Sequence, residues 1–161
     1  MTRQTLAATA PAALARTFAG TAAQAAAARR WARAAVAGMA GPDAAGLAEA
    51  AIAELLANAV THSRSGQPGG TFTVIIAGSA DGVTVHVHDQ GAAGGAVPRP
   101  RDAGDEAENG RGLRIVDELS AAWGTCPGAE CCRAGADRQA AGLGRCTWFA
   151  CRPRDRDGGR I

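Results

Sequence analysis

The sequence predicts an α+β fold, a two-layer α/β sandwich in which helices cover one side of a mixed, mostly antiparallel sheet. Three observations predict it: two consecutive alanine-rich segments of helical period, two β-branched runs joined by a short turn, and a further apolar run near the C-terminus. The 161 residues are enough for one domain with a real core and too few for two large ones. Residues 1–18 are expected to form a flexible leader, because the Ala/Thr/Pro-rich start has no period. Residues 19–152 are then the folded domain, and 153–161 a charged, disordered tail.

Thr21–Met39 has the strongest intrinsic helix propensity in the chain, with Trp31, Ala35 and Val36 forming an apolar stripe and Arg29, Arg30 and Arg33 lying off it. Gly38, Gly41 and Pro42 end that helix. Asp43 reads as the N-cap of a second one, in which Leu47, Ala51, Leu55 and Ala59 recur at helical spacing. Ser63 to Gly70 reads as a loop. Thr71–Ala77 and Val83–Asp89 are strand-like, and the Asp81-Gly82 turn signal between them makes a β-hairpin. Gln90 to Asn109 has no period, a length that a compact domain normally reserves for a functional loop or lid. Arg111–Ala121 is helical, with Leu113, Val116 and Leu119 on one side. Thr125–Gly142 is irregular, and Arg145–Cys151 reads as the last strand.

Composition narrows the function classes. Lysine is absent, all 17 basic residues are arginine, and alanine occurs 41 times, a skew toward GC-rich codons that makes the arginines weak evidence for a nucleic-acid partner. The net charge is only +2 and the basic residues are scattered, so no direct nucleic-acid binding is expected. The five cysteines show no paired CxxC and no histidine close by in sequence to complete a zinc site, which reads as free thiols in a reducing cytoplasm. The start lacks a signal-peptide pattern and no run of about eighteen apolar residues is seen, so a cytoplasmic protein without membrane contact is expected.

Three stretches carry chemistry. Glu54, Asn58 and His62 are spaced four and four on the second helix and therefore stack on one face. Read alone this is a solvated face; read as a site, a carboxylate serves as base and a carboxamide oxygen holds a hard cation such as Mg²⁺. Asp89-Gln90-Gly91 follows an alternating strand, where a carboxylate can accept from a ligand amino group, although Asp-x-Gly is also a common turn. Gly110-Arg111-Gly112-Leu113 opens a helix, and exposed N–H groups with an arginine make an anion site there. No P-loop and no dinucleotide-binding glycine fingerprint is present.

In order and spacing, ELLANAVTH, then HDQG after a hairpin, then a loop, then NGRGLRIV resemble the N, G1 and G2 boxes of the Bergerat-fold, histidine-kinase-like ATPases. Within that group the chain is most similar to the small anti-sigma-factor serine kinases, over about Ala27 to Phe149. The resemblance implies ATP and Mg²⁺ as cofactors. It implies Glu54 as general base toward a serine hydroxyl, Asn58 as the Mg²⁺ ligand, and Asp89 with Gly91 around the adenine. Gly110, Arg111, Gly112 and Leu113 would start the helix facing the phosphates, and residues 90–109 would form the ATP lid. His62 ends the N box, as a phosphate contact or merely a cap. His86 and His88 share a strand face and read as sheet-surface residues rather than ligands. The pattern departs at Ala93, where the family has glycine, and in the long cysteine-bearing 126–142 segment.

The activity so implied is that of an ATP-dependent protein serine kinase acting on an anti-anti-sigma protein, with a sigma factor as a second partner and a homodimer as its assembly. A nucleotide-dependent interaction module that binds ATP without phosphorylating its partner is the alternative, and turnover separates the two. A detached histidine-kinase catalytic domain is disfavoured, because no helix pair with a phospho-accepting histidine precedes the N box.

Overall fold

Two strands that the sequence leaves unassigned complete the sheet. In the computed structural model, which describes residues 13–92, 109–127 and 144–151, strand β1 (Ala13–Ala19) leads into helices α1 (Ala22–Ala40) and α2 (Pro42–His62). A 3₁₀ turn at Arg64–Gly66 precedes the hairpin of β2 (Thr71–Ser79) and β3 (Gly82–Asp89). Helix α3 (Asn109–Leu119), β4 (Ala122–Pro127) and β5 (Arg145–Cys151) follow. The sheet order is β1-β2-β3-β5-β4, and all four pairings are antiparallel, so the expected mixture of pairings is not found among the described residues.

Residues 13–18, expected within the leader, form most of β1, and residues 125–127, expected to be irregular, belong to β4. Both are edge strands. Only Phe18 of β1 is buried, and β4 contains Gly124 and ends on Pro127, so neither carries the alternation by which a strand is recognised in sequence. Phe18 is nonetheless a strong anchor: its ring stacks on Phe72 at 5.6 Å and meets Trp31 edge-on at 5.9 Å. The hairpin turn is Ala80-Asp81, since Ser79 pairs with Gly82, which places Gly82 in β3 rather than in the turn.

Helices α1 and α2 meet at one residue. Gly41, at φ +88°, donates its N–H to the Ala37 carbonyl, and its own carbonyl accepts from Ala45, so it closes one helix and opens the next. Pro42 at the first helical position suits that start, and Asp43, expected as the N-cap, lies instead in the first turn. Thr21 caps α1 by accepting from the Gln24 N–H at 3.2 Å. Ala28 and Ala32 of α1 and Ala44, Ala45, Ala48, Ala51 and Ala59 of α2 are all buried, so the alanine-rich composition lets two backbones pack closely. Leu47, expected on the buried stripe, is 37 % exposed, while Ile52, Leu55 and Leu56 are buried in the core cluster. Helix α2 is long and apolar enough to cross a membrane by composition, and its burial in this core accounts for that apolarity. Arg33 and Arg29 reach Glu49 of α2 at 3.1 and 3.9 Å, exposed pairs worth at most about 1 kcal/mol each.

The core lies between the helices and one side of the sheet, where Phe72, Val74, Ile76, Val85, Val87 and Phe149 are buried. The other side of the sheet holds a smaller cluster of Ile75 and Cys146, with Cys126 and Trp148 packed against it. His86 and His88 lie on this side too, and His88 is wholly buried, which corrects its reading as a surface residue. Burial, with His88 close by, lowers the pKa of His86 to about 4; burial also lowers that of His88, against an opposing pull from Asp89. Cys146 and Cys151 form no disulfide, whereas Cys126 is disulfide-bonded, so the expectation of free thiols does not hold for Cys126.

Candidate functional site

The end of β3 is held in place from three directions. Asp89 is the last residue of β3 and lies on the helix side of the sheet, opposite Arg145 of β5. Its Oδ2 accepts from Arg145 Nη2 at 3.0 Å, and both side chains are almost fully buried. Its Oδ1 accepts from the N–H of Gly91 at 2.7 Å, closing an Asx turn for which Gly91 adopts φ +72°, the left-handed region that glycine enters without penalty. Among the described residues each carboxylate oxygen accepts one hydrogen bond, where a carboxylate oxygen can accept two.

The third direction comes from the end of α2. Ser63 caps the helix by donating from Oγ to the Ala59 carbonyl at 2.6 Å, and accepts from the N–H of Ser65 at 3.0 Å. Ser65, wholly buried, accepts the N–H of Gln90 on its Oγ at 2.9 Å. Arg64 donates its backbone N–H to the Gly91 carbonyl at 2.8 Å and both Nε and Nη2 to the Gln90 carbonyl, at 3.0 and 2.8 Å. Gly144 packs so closely on this turn that a Cβ there would lie 2.8 Å from the Gln90 carbonyl. Ser65→Ala is expected to leave the Gln90 N–H without its acceptor and to cost about 1–3 kcal/mol of stability, seen as a lower urea midpoint at unchanged m-value.

Helix α2 and helix α3 meet at Glu54. The Glu54 side chain lies over Gly112 so closely that an added Cβ would collide with its carboxylate. Glycine at 112 leaves room for the carboxylate in this position; a side chain there would displace the end of Glu54, a contact that the sequence alone does not reveal. Gly110, Arg111, Gly112 and Leu113 all fall in the first turns of α3, and Leu113 is buried together with Val116. Glu54 and Asn58 are half-buried, but His62 is exposed at the end of α2. A spacing of four residues overshoots one helical turn by about 40°, so His62 has rotated some two steps away from Glu54.

Asn58 and Glu54 present only oxygen acceptors suited to a hard cation, besides the amide N–H₂ of Asn58, and Mg²⁺ characteristically takes one or two such protein ligands and fills its remaining positions with phosphate and water. The donor set fits that ion. The residues missing from the sequence reading are Ser63, Arg64, Ser65, Gly144 and Arg145. Ser-Arg-Ser directly after a helix was the available signal for the first three, as serine there competes for backbone groups; Arg145 carried none until β5 was paired with β3. The lid residues 93–108, including Ala93, and the cysteine-bearing residues 128–143 lie outside the described residues.

The antiparallel sheet with helices on one side thus brings a buried carboxylate at a strand end and a polar helix face set against the glycine-bearing start of another helix into one layer of the molecule. A family model of the histidine kinase-like ATPase domain matches residues 18–123. The chain belongs to that family, and ATP binding is the property that membership carries. The match takes in the Glu54, Asp89 and Gly112 segments and stops before β5. A search of curated proteins returned no match.

Proposed function

We propose that this protein is an ATP- and Mg²⁺-dependent protein serine kinase of the anti-sigma-factor type, acting on a serine of an anti-anti-sigma protein and alternatively holding a sigma factor. The observation that carries the reading is the seating of the Glu54 carboxylate against Gly112 at the start of α3. A helix start offers backbone N–H groups to phosphate, and a carboxylate beside it is placed to take a proton from an incoming hydroxyl. In this reading the serine oxygen forms a bond to the γ-phosphorus as the bond from that phosphorus to the bridging oxygen breaks. ADP leaves, and the hydroxyl proton passes to Glu54. Bound Mg²⁺ neutralises phosphate charge; Asn58 is the residue that would hold it. Asp89 accepts from the adenine amino group, and its ties to Gly91 and Arg145 fix the acceptor before ligand arrives.

Calorimetric titration with ATP, with and without Mg²⁺, tests the reading. The wild type is expected to bind ATP more tightly with the metal, and Asn58→Ala to lose at least tenfold in affinity in its presence. Equal binding by wild type and Asn58→Ala in Mg²⁺ would remove Asn58 from the metal site. Absence of ATP binding by the folded wild type would overturn the nucleotide reading itself.

A further inference from the structure

On the side of the sheet away from the helices, pairing of β3 with β5 sets His88 opposite Cys146 and His86 opposite Trp148. One ligand atom from each of His86, His88 and Cys146 lies within 4.8 Å of the other two, and Cys146 Sγ stands 3.6 Å from His86 Nδ1. The two imidazoles stack with centroids 6.4 Å apart. Cys146 and His88 are fully buried and His86 is half-buried, so a ligand would be enclosed by protein and approachable past one ring.

We propose that His86, His88 and Cys146 form a binding site for a borderline transition-metal ion of the Zn²⁺ class. Two imidazole nitrogens and one thiolate suit such an ion and offer nothing to Mg²⁺ or Ca²⁺, which take oxygen. With Zn–N near 2.0 Å and Zn–S near 2.3 Å, tetrahedral donors lie roughly 3.5 Å apart, so the three side chains close on an ion by moving about 1 Å, within reach of side-chain rotation alone. Binding replaces the Cys146 thiol proton, which is released to solvent, by a metal–sulfur bond. Cys126, the register partner of Cys146 on β4, is disulfide-bonded and is not counted as a donor. Among the described residues these three supply the ligands, and a tetrahedral ion takes one more. The ion would staple the central strand β3 to β5, whose ligands are 60 residues apart in sequence, one residue before Asp89.

The test uses the full-length chain without a polyhistidine tag, treated with chelator, dialysed, and titrated with Co²⁺ and then Zn²⁺. One equivalent of Co²⁺ is expected to produce a thiolate-to-metal charge-transfer band that Zn²⁺ abolishes. Cys146→Ser should lose the band, and His86→Gln, at the half-buried position, should keep it while weakening Co²⁺ binding at least tenfold. Circular dichroism checks that both variants are folded. If the wild type gives no band, the site does not exist. A band equally strong in folded Cys146→Ser would assign the metal to other cysteines and overturn the proposal, as would unchanged Co²⁺ affinity in folded His86→Gln.

Discussion

Asp89→Ala is expected to lose ATP binding and, separately, about 3 kcal/mol of folding stability. The second loss follows from the pair that Asp89 makes with Arg145, 3.0 Å apart with side chains only 5 and 9 % exposed. Removing one member of a buried ion pair withdraws the compensation for the other charge, at a cost of about 3–5 kcal/mol. The Asx turn to Gly91 goes with it. The double variant Asp89→Ala/Arg145→Met removes the charge as well as its partner and should recover most of the stability, because an apolar replacement of a buried pair is often neutral. It should not recover ATP binding, since the proposed acceptor for the adenine is still missing. Chemical denaturation of the two variants, read beside calorimetry with ATP, separates the roles. Full ATP affinity in the stable double variant would show that Asp89 serves the fold alone.

Glu54→Ala is expected to keep ATP binding and to lower phosphoryl transfer at least a hundredfold, the scale of a well-placed general base. The measurement is transfer of labelled γ-phosphate to the cognate anti-anti-sigma protein at saturating ATP. The change should not harm folding, because Glu54 is half-buried on a helix and alanine favours that helix. Transfer at the wild-type rate would remove Glu54 from the chemistry. A wild type that binds ATP but phosphorylates no partner would instead select the interaction-module reading, in which Glu54 merely lines the site.

Much of this was legible in the residues. The bounds of β5 agree with those read from RCTWFAC, and α1 and the hairpin agree to within one or two residues, because each carries its own period or turn chemistry. The motif segments around Glu54, Asp89 and Gly112 were visible for the same reason: each is short and contiguous. What escaped is what two distant segments make together. Strands β1 and β4 have little apolar alternation of their own and exist because β2 and β5 offer them edges. The Asp89–Arg145 pair spans 56 residues, and the histidine–cysteine cluster lies across the same β3–β5 register. A histidine distant from the cysteines in sequence is beside one of them in the sheet. The exposure of His62 at the end of α2 is likewise not legible from a spacing of four, since each such step drifts about 40° around the helix.

The single glycine shared by α1 and α2 bears on how the chain reaches this arrangement. With Gly41 ending one helix and starting the next, the helical hairpin forms from contacts between near neighbours and needs no closure of a long loop. Pairing β3 with β5 brings together residues more than fifty apart and must overcome the entropy of that loop first. The helical layer is thus suited to form early and give the strands a surface to condense on. The proposed adenine site, which depends on Asp89 meeting Arg145, is then among the last parts of the molecule to be completed.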